Sequence, residues 1–314
     1  MKQNLIPLSD LNLTDRFLFD EVMDDPQTHQ DALSIIFGHP VPLLGRNETE
    51  KELRVSPAVR SVRMDVFSMD EEKSIYNTEM QKRKQSDLAK RSRYYQSMID
   101  TSLLEPGIPD YNVLNRSYII IITPFDLFGY GLYCYTFHSR CEEQPDCILD
   151  DGATRIFLNT HGTNDSEVSK ELADFLHYLE NTTDQTAIES GSDRIKRIHD
   201  RVCKVKSNEE IGVKYMQAWE EKYYERQEGL EEGLKRGREE GMEEGVEKGG
   251  MLKLIQQITK KLEKGKTPGD IADELEEDLS IVTAICKIAE GDVLPYDCER
   301  IYEHYCRETL RVFQ

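Results

Sequence analysis

The sequence lacks long hydrophobic runs: no stretch approaches the roughly 18 consecutive apolar residues typical of a membrane-spanning helix. Its first residues, MKQNLIP, also lack the apolar segment of a secretory signal. These two absences predict a cytoplasmic protein that makes no contact with a membrane.

Paired cysteines and zinc motifs are absent as well. The seven cysteines form no C-x-x-C pair and their number is odd, which indicates reduced thiols rather than a disulfide framework. The seven histidines form no H-E-x-x-H motif, and no Cys/His spacing is typical of zinc. His138 and Cys141 are near neighbours, but packing or a free thiol explains them better than a metal role does.

The chain also lacks an excess of positive charge. Its 314 residues include 40 Lys and Arg against 60 Asp and Glu, for a formal net charge of −20. This balance argues against a protein that coats nucleic acid through general positive charge. Basic residues nevertheless outnumber acidic ones in residues 51–100, whereas residues 220–279 are strongly acidic. Any contact with a nucleic acid is therefore expected in the first part of the chain.

Hydrophobic patterning predicts an α/β core within residues 1–165. Alternating apolar and polar residues predict two strands, at 61–67 and 76–81. The continuous β-branched run at residues 117–123 predicts a central strand that is covered on both faces. This order of helices and strands implies an α/β sandwich. The other predicted elements are helices near residues 13–19, 26–36 and 86–104 and strands at 131–137 and 155–159.

Helical periodicity takes over after the core. We expect a helical extension at 166–225, a Glu/Gly-repeat helix or linker at 226–250, and a small helical unit at 251–314. Each glycine costs a helix about 1 kcal/mol relative to alanine. Disorder is therefore one alternative for the repeat, and a helix whose glycine stripe admits a close partner helix is the other. The repeat glycines are Gly229, Gly233, Gly237, Gly241, Gly245 and Gly249.

Residues 267–285 resemble a helix-turn-helix in their hydrophobic spacing. A DNA-reading helix must approach phosphates, yet acidic residues surround this one. The segment is therefore expected to be a structural helical hairpin.

Two acidic residues on the predicted strand pair form the candidate catalytic site. Asp65 and Glu79 can direct their carboxylates to one hard divalent cation. Gln81 follows Glu79 by two residues, so it projects from the same face of the strand. Carboxylates for a metal beside cations for a phosphate backbone indicate a nuclease, although an exposed hairpin with solvated carboxylates has the same pattern. The nearby basic residues are Lys82, Arg83, Lys84, Lys90, Arg91 and Arg93.

Several motifs, in order, resemble the PD-(D/E)XK nuclease family transposases, also called the Rpn or recombination-promoting nuclease family. The resemblance covers roughly residues 10–250 and includes the Glu/Gly repeat. It implies a restriction-endonuclease-like mixed sheet flanked by helices and followed by a helical C-terminal region. The matching segments are residues 13–19, 63–67, 77–81, 90–96, 123–126 and 152–159.

The resemblance implies metal-assisted hydrolysis of phosphodiester bonds. Asp65 matches the motif aspartate and Glu79 the (D/E) position, so both, with the backbone carbonyl of Met80, would hold Mg²⁺ or Mn²⁺. Gln81 stands where the family has lysine, and it would position the attacking water without supplying a charge. Asp15 matches the family's helix acid, and either completes an outer ligand shell or caps the helix.

Substrate contacts are expected from the basic residues after the strand pair. Tyr94 and Tyr95 are possible substrate contacts, although a role in the core suits each tyrosine better. The expected nucleic-acid-binding residues are Lys82, Lys84, Lys90, Arg91 and Arg93.

The sequence therefore predicts a Mg²⁺-dependent DNA endonuclease linked to recombination or mobile elements, which forms a homo-oligomer. Nothing in the sequence distinguishes DNA from RNA as the substrate. A second hypothesis is a catalytically weak or inactive nucleic-acid-binding or regulatory protein that assembles through its Glu/Gly helix. Gln81 and the large negative charge favour this second hypothesis.

Overall fold

A computed structural model describes most of the chain and divides it into two compact units, Met1–Glu220 and Glu221–Gln314. Ser61, at which the first predicted strand begins, lies outside the described residues. The described residues are 5–45, 48–53, 62–104, 107, 109–291 and 296–312.

The first unit contains a mixed sheet of six strands, numbered in chain order, with the spatial order β1-β2-β3-β4-β6-β5. The two contacts of the fourth strand, with the third and the sixth, are parallel, and the other three are antiparallel. The predicted mixed sheet is confirmed. The strands are β1 (Glu48–Leu53), β2 (Val62–Met69), β3 (Ile75–Met80), β4 (Ser117–Thr123), β5 (Cys134–Phe137) and β6 (Ala153–Asn159).

Strand β4 has the bounds that its sequence predicts, and all but one of its residues are buried. Strand β1 was not predicted, because five of its six residues are charged or polar and show no apolar alternation. It lies at the edge of the sheet, where one neighbouring strand suffices and charged residues discourage further pairing.

Helices flank the sheet on both faces. Their ranges in the first unit are α1 (Arg16–Met23), α2 (Pro26–Phe37), α3 (Leu88–Leu103), α4 (Lys170–Glu180), α5 (Asp184–Ser190) and α6 (Asp193–Lys206). Helix α3 packs on one face through a cluster that includes Phe67, Tyr95 and Ile121. The other five helices contribute to a larger cluster on the opposite face, where Val66 and Ile120 point. The period of two along each strand produces this division.

The Glu/Gly repeat lies inside a single helix, α7 (Glu209–Leu262), of 54 residues. The structure has this segment as a helix, and a partner helix along its glycine stripe stays a prediction. A Cβ atom added at any of the six repeat glycines would meet no atom of the described chain within 4 Å. The apolar side chains of the repeat are exposed: Leu230, Leu234, Met242 and Val246.

The second unit is helical, and its remaining helices are α8 (Pro268–Leu275), α9 (Leu279–Glu290) and α10 (Cys298–Val312). Helices α8 and α9 pack with the end of α7 and with α10 around Ile258, Ile271 and Ile285. The segment that resembles a helix-turn-helix is thus a helical hairpin that shares a hydrophobic core with α7 and α10. In the part of the chain that the structure describes, no helix has the length and apolarity needed to cross a membrane.

Candidate active site

The two candidate catalytic acids lie side by side on the central hairpin. The antiparallel register of β2 and β3 ends with Val66 opposite Thr78, and Asp65 and Glu79 are the next residues on the two strands. Each strand thus carries one acid directly beyond this last pair. Both acids face the side of the sheet that α3 covers, and each is only 3% exposed. The structure therefore brings together two carboxylates that are shielded from water.

Asp65 is held by the backbone and by an arginine. Its Oδ2 accepts a hydrogen bond from the backbone N–H of Met80, at 3.3 Å. Its Oδ1 forms an ion pair with Arg16, the first residue of α1. The Nε of Arg16 also lies 3.5 Å from Oδ2 of Asp20, one helical turn later. Arg16 thus links the strand carboxylate to a second acid on α1.

The polar neighbours of Glu79 include Asn77 and Arg91. Its Oε1 accepts a hydrogen bond from the side-chain amide of Asn77, at 3.4 Å, and its Oε2 lies 3.6 Å from Nη2 of Arg91. Asn77 is fully buried, and its Oδ1 has no hydrogen-bond partner among the described residues. An oxygen acceptor beside Glu79 is therefore available to a ligand or to water.

Burial and the neighbouring negative charge of Asp65 raise the pKa of Glu79 to about 8. The positive charges of Arg91 and Arg16 and the hydrogen bond from Asn77 act in the opposite direction. The two guanidinium groups therefore do not fully offset the cost of holding two charged carboxylates together in a buried site.

Gln81 follows the last residue of β3 and belongs to the same side-chain network. Its Oε1 accepts a hydrogen bond from Nη2 of Arg91 at 2.8 Å, while its amide nitrogen donates to the carbonyl of Arg83 at 2.6 Å. Arg91 also donates to Gln85 at 3.1 Å. Since the same Nη2 also faces Glu79, one guanidinium group contacts both the acid and the residue in the place of the family's lysine.

The two tyrosines predicted as possible substrate contacts belong to the core beneath this site. Tyr95 is 8% exposed, and the guanidinium of Arg91 lies 5.6 Å from the centre of its ring. Burial and the charge of Glu79 raise the pKa of Tyr95, so its hydroxyl stays protonated. Tyr94 packs, partly buried, against the same hydrophobic cluster.

The predicted nucleic-acid-binding residues differ in exposure. Lys82, Lys84, Lys90 and Arg93 are exposed. The side chain of Arg91 is only 24% exposed, because it is directed toward Glu79.

Asp15 is the N-cap of α1, where its Oδ1 accepts a hydrogen bond from the backbone N–H of Phe17 at 3.1 Å. The structure thus shows the capping contact, and the role in an outer ligand shell stays a prediction. It is the next residue, Arg16, that contacts the strand acid.

Sequence reasoning missed three polar residues around the acid pair: Arg16, Asp20 and Asn77. Asn77 could have been found, since it precedes Glu79 by two residues and so shares its face of β3. Arg16 and Asp20 lie far from Asp65 in the sequence, and only the packing of α1 against the sheet brings them close.

The residues present fit an oxygen-ligated divalent cation. Asp65 and Glu79 offer carboxylate oxygens, the backbone carbonyl of Met80 is close by in the chain, and these are the donors that Mg²⁺ and Mn²⁺ take. Burial and the charge of Asp65 raise the pKa of Glu79, and a bound divalent cation would favour its ionised form.

The mixed sheet, its flanking helices and the acid pair on β2 and β3 define a restriction-endonuclease-like α/β protein. A sequence model of the PD-(D/E)XK nuclease family transposases matches residues 46–233, more than half of the chain. The chain belongs to this family. Comparisons with curated proteins and with solved structures find no match.

Proposed function

We propose that the protein is a metal-dependent endonuclease that hydrolyses phosphodiester bonds of DNA and serves recombination or mobile elements. The observation that carries the proposal is the buried pair of Asp65 and Glu79 on neighbouring strands, with an arginine beside each acid. Family membership supports a nuclease linked to mobile elements. DNA, the endonucleolytic mode and the choice of ion belong to the proposal.

Asp65, Glu79 and the backbone carbonyl of Met80 would hold Mg²⁺ or Mn²⁺. When bound, such an ion lowers the pKa of a water molecule and stabilises negative charge on the phosphate. Asn77 would keep the carboxylate of Glu79 oriented through its hydrogen bond. Burial of the site would strengthen each of these electrostatic contacts, because little water is present to screen them.

Arg91 supplies the positive charge that Gln81 lacks. In the family pattern a lysine follows the second acid by two residues, whereas here a glutamine occupies that place and accepts a hydrogen bond from Arg91. The guanidinium would bind an oxygen of the scissile phosphate, for which its planar donors are well suited. The amide of Gln81 would orient the attacking water.

Contacts with the DNA backbone are assigned to the exposed cations around the start of α3. These residues carry no base-reading pattern, and phosphate contacts of this kind position the duplex without reading its sequence. The residues are Lys82, Lys84, Lys90 and Arg93.

Cleavage of supercoiled plasmid DNA by the full chain in Mg²⁺ or Mn²⁺ tests the proposal. We expect nicked and linear products that excess chelator abolishes. Asp65→Asn and Glu79→Gln keep the side-chain shapes but remove ligand charge, and should lower the cleavage rate by more than the roughly 10–100-fold typical of a lost outer-shell partner.

Glu71→Gln is the matched control, because Glu71 is an exposed acid on the turn of the same hairpin. It should cleave like the wild type. Cleavage that persists in excess chelator, or that survives both acid substitutions, would refute the proposed chemistry.

A second function, nucleic-acid binding with little or no catalysis, is favoured by one specific observation. An arginine already lies beside each acid, where a metal ion would otherwise supply positive charge, and the uncharged Gln81 replaces the family's lysine. The same assay separates the two functions when DNA binding is measured in parallel. Binding by the wild type without cleavage in either metal would favour the regulatory protein.

We further propose that the protein self-associates through α7. The six repeat glycines leave open space along the helix, and nothing in the described chain fills it. A second α7 helix lying against this stripe would explain why residues that weaken an isolated helix occur there, and would cover the exposed Leu230, Leu234 and Met242.

A further inference from the structure

A second group of metal-ligating side chains lies on the helices that follow the sheet. Asp184 is the first residue of α5, and His199 and Cys203 lie one turn apart on α6. One ligand atom from each of the three residues lies within 4.8 Å of the other two. No H-E-x-x-H or C-x-x-C pattern marks these residues in the sequence, because the group forms only when α5 packs beside α6.

The imidazole of His199 is the centre of the group. Its Nε2 lies 2.7 Å from Oδ1 of Asp184 and 3.5 Å from Sγ of Cys203. Its other nitrogen, Nδ1, lies 2.8 Å from the hydroxyl of Tyr178, which is fully buried on α4. A polar group fixed on one ring nitrogen is the usual arrangement when the opposite nitrogen binds a metal, because it sets the tautomer and the orientation of the ring.

The same three residue types also form hydrolase triads, but the geometry argues against that function. In a triad the base uses one ring nitrogen for the nucleophile and the other for the orienting acid. Here Asp184 and Cys203 approach the same nitrogen, Nε2, while Tyr178 occupies Nδ1. Three ligand atoms that lie within 4.8 Å of one another suit a bound ion better than a triad.

We propose that Asp184, His199 and Cys203 form a three-ligand site for Zn²⁺, with a fourth position open to water. Zinc–ligand distances of about 2.0–2.3 Å place the ligand atoms of a tetrahedral site about 3.3–3.6 Å from each other. The sulfur of Cys203 already lies at such a distance from Nε2. Asp184, whose Oδ1 lies 2.7 Å from Nε2, needs to retreat by at least about 0.6 Å, and its side chain is 88% exposed, so little opposes this movement.

The ligand set favours Zn²⁺ over the ions assigned to the strand acids. Thiolate and imidazole are soft or intermediate donors that suit zinc, whereas Mg²⁺ and Mn²⁺ take oxygen ligands. Exposure of Cys203 and Asp184 leaves the ion an entry path. A bound ion would join the start of α5 to α6 and stabilise this part of the first unit by mass action.

Titration of the full chain with Co²⁺, a spectroscopic substitute for Zn²⁺, tests the site. A thiolate ligand produces a near-ultraviolet charge-transfer absorption that carboxylate sites lack, so the signal does not depend on Asp65 or Glu79. We expect this absorption in the wild type, its bleaching by one equivalent of Zn²⁺, and its loss in Cys203→Ser. The control Cys147→Ser changes another exposed cysteine and should retain the absorption.

Competition with a zinc chelator then gives affinities. Asp184→Asn should weaken Zn²⁺ binding by about tenfold or more, and Tyr178→Phe, which removes the hydroxyl that positions His199, by roughly 10–100-fold. Glu79→Gln should bind Zn²⁺ at this site like the wild type, which separates the inference from the proposed nuclease. Absence of the absorption in the wild type, or its persistence in Cys203→Ser, would overturn the site.

Discussion

At the scale of single residues, the central feature is a buried pair of acids whose charge is only partly offset. Two carboxylates on neighbouring strands, each 3% exposed, are costly to ionise together. Arg16 and Arg91 each contact one of them, yet the pKa of Glu79 still lies near 8. Near neutral pH, without a cation, Glu79 therefore keeps a proton most of the time.

This pKa predicts how stability depends on pH. Because Glu79 rises from its ordinary value of 4.5 to about 8 on folding, the folded chain binds more protons than the unfolded chain between these values. The free energy of unfolding should therefore fall as pH rises from about 5 to about 8. Thermal unfolding in chelator across this range measures the slope.

Glu79→Gln, which cannot titrate, should flatten that slope, and Mg²⁺ should bind more tightly as pH rises through the same window. An identical slope in the wild type and in Glu79→Gln would contradict the shifted pKa.

Two arginines on α3 allow a matched comparison of their roles. Arg91 is directed at Glu79 and Gln81, whereas Arg93, two residues later, is exposed. Arg91→Gln should lower the cleavage rate at saturating DNA with little change in the salt dependence of binding. Arg93→Gln should weaken DNA binding and reduce its salt slope by about 1, and leave cleavage at saturating DNA intact.

Cleavage kinetics and binding isotherms at several salt concentrations distinguish the two effects. If both variants lose binding equally and cleave normally when saturated, Arg91 is a phosphate contact like the others and plays no part in the chemistry.

At the scale of elements, the hairpin of β2 and β3 and helix α3 together build the site. Side chains alternate between the two faces of each strand, so the hairpin places Asp65, Asn77 and Glu79 on one face. Helix α3 contributes Arg91, the residue after its exposed Lys90. Helix α7, in contrast, carries a row of repeat glycines that contact nothing in the described chain.

Replacing glycines of the α7 stripe by alanine should change helix stability and self-association in opposite directions. In a helix without a partner, replacing Gly233, Gly237 and Gly241 by alanine should raise helix stability by about 1 kcal/mol per site. If two α7 helices meet through the stripe, the same triple substitution should weaken self-association, because the added methyl groups keep the backbones apart. Light scattering over a range of concentrations measures the association, and circular dichroism measures helix stability.

Glu232→Ala is the control, since it adds helix propensity at an exposed position outside the stripe and should leave association unchanged. Association of the triple glycine variant at wild-type strength would show that the stripe is not the interface.

At the scale of the whole molecule, local patterns predicted more of the architecture than of the site's surroundings. The β-branched run of β4 and the alternation in β2 and β3 indicate their structure directly, so the mixed sheet was predictable. The charged edge strand β1 was not, because it owes its place to pairing with β2 rather than to burial of its own apolar face.

The site shows the same division. Asp65, Glu79 and Gln81 could be identified from spacing and from the family resemblance. Arg16 and Asp20 could not, since the packing of α1 on the sheet brings them there. The group of Asp184, His199 and Cys203 likewise depends on how α5 and α6 pack, which no local spacing reveals.

We propose that Asp65 and Glu79 together bind one catalytic divalent cation. A calorimetric titration of the full chain with Mn²⁺ measures this binding. Mn²⁺ favours oxygen ligands, so it reports on the carboxylate site. We expect one binding event that Glu79→Gln abolishes and that Glu71→Gln, on the exposed turn of the same hairpin, retains. Equal Mn²⁺ binding by the wild type and by Glu79→Gln would contradict it.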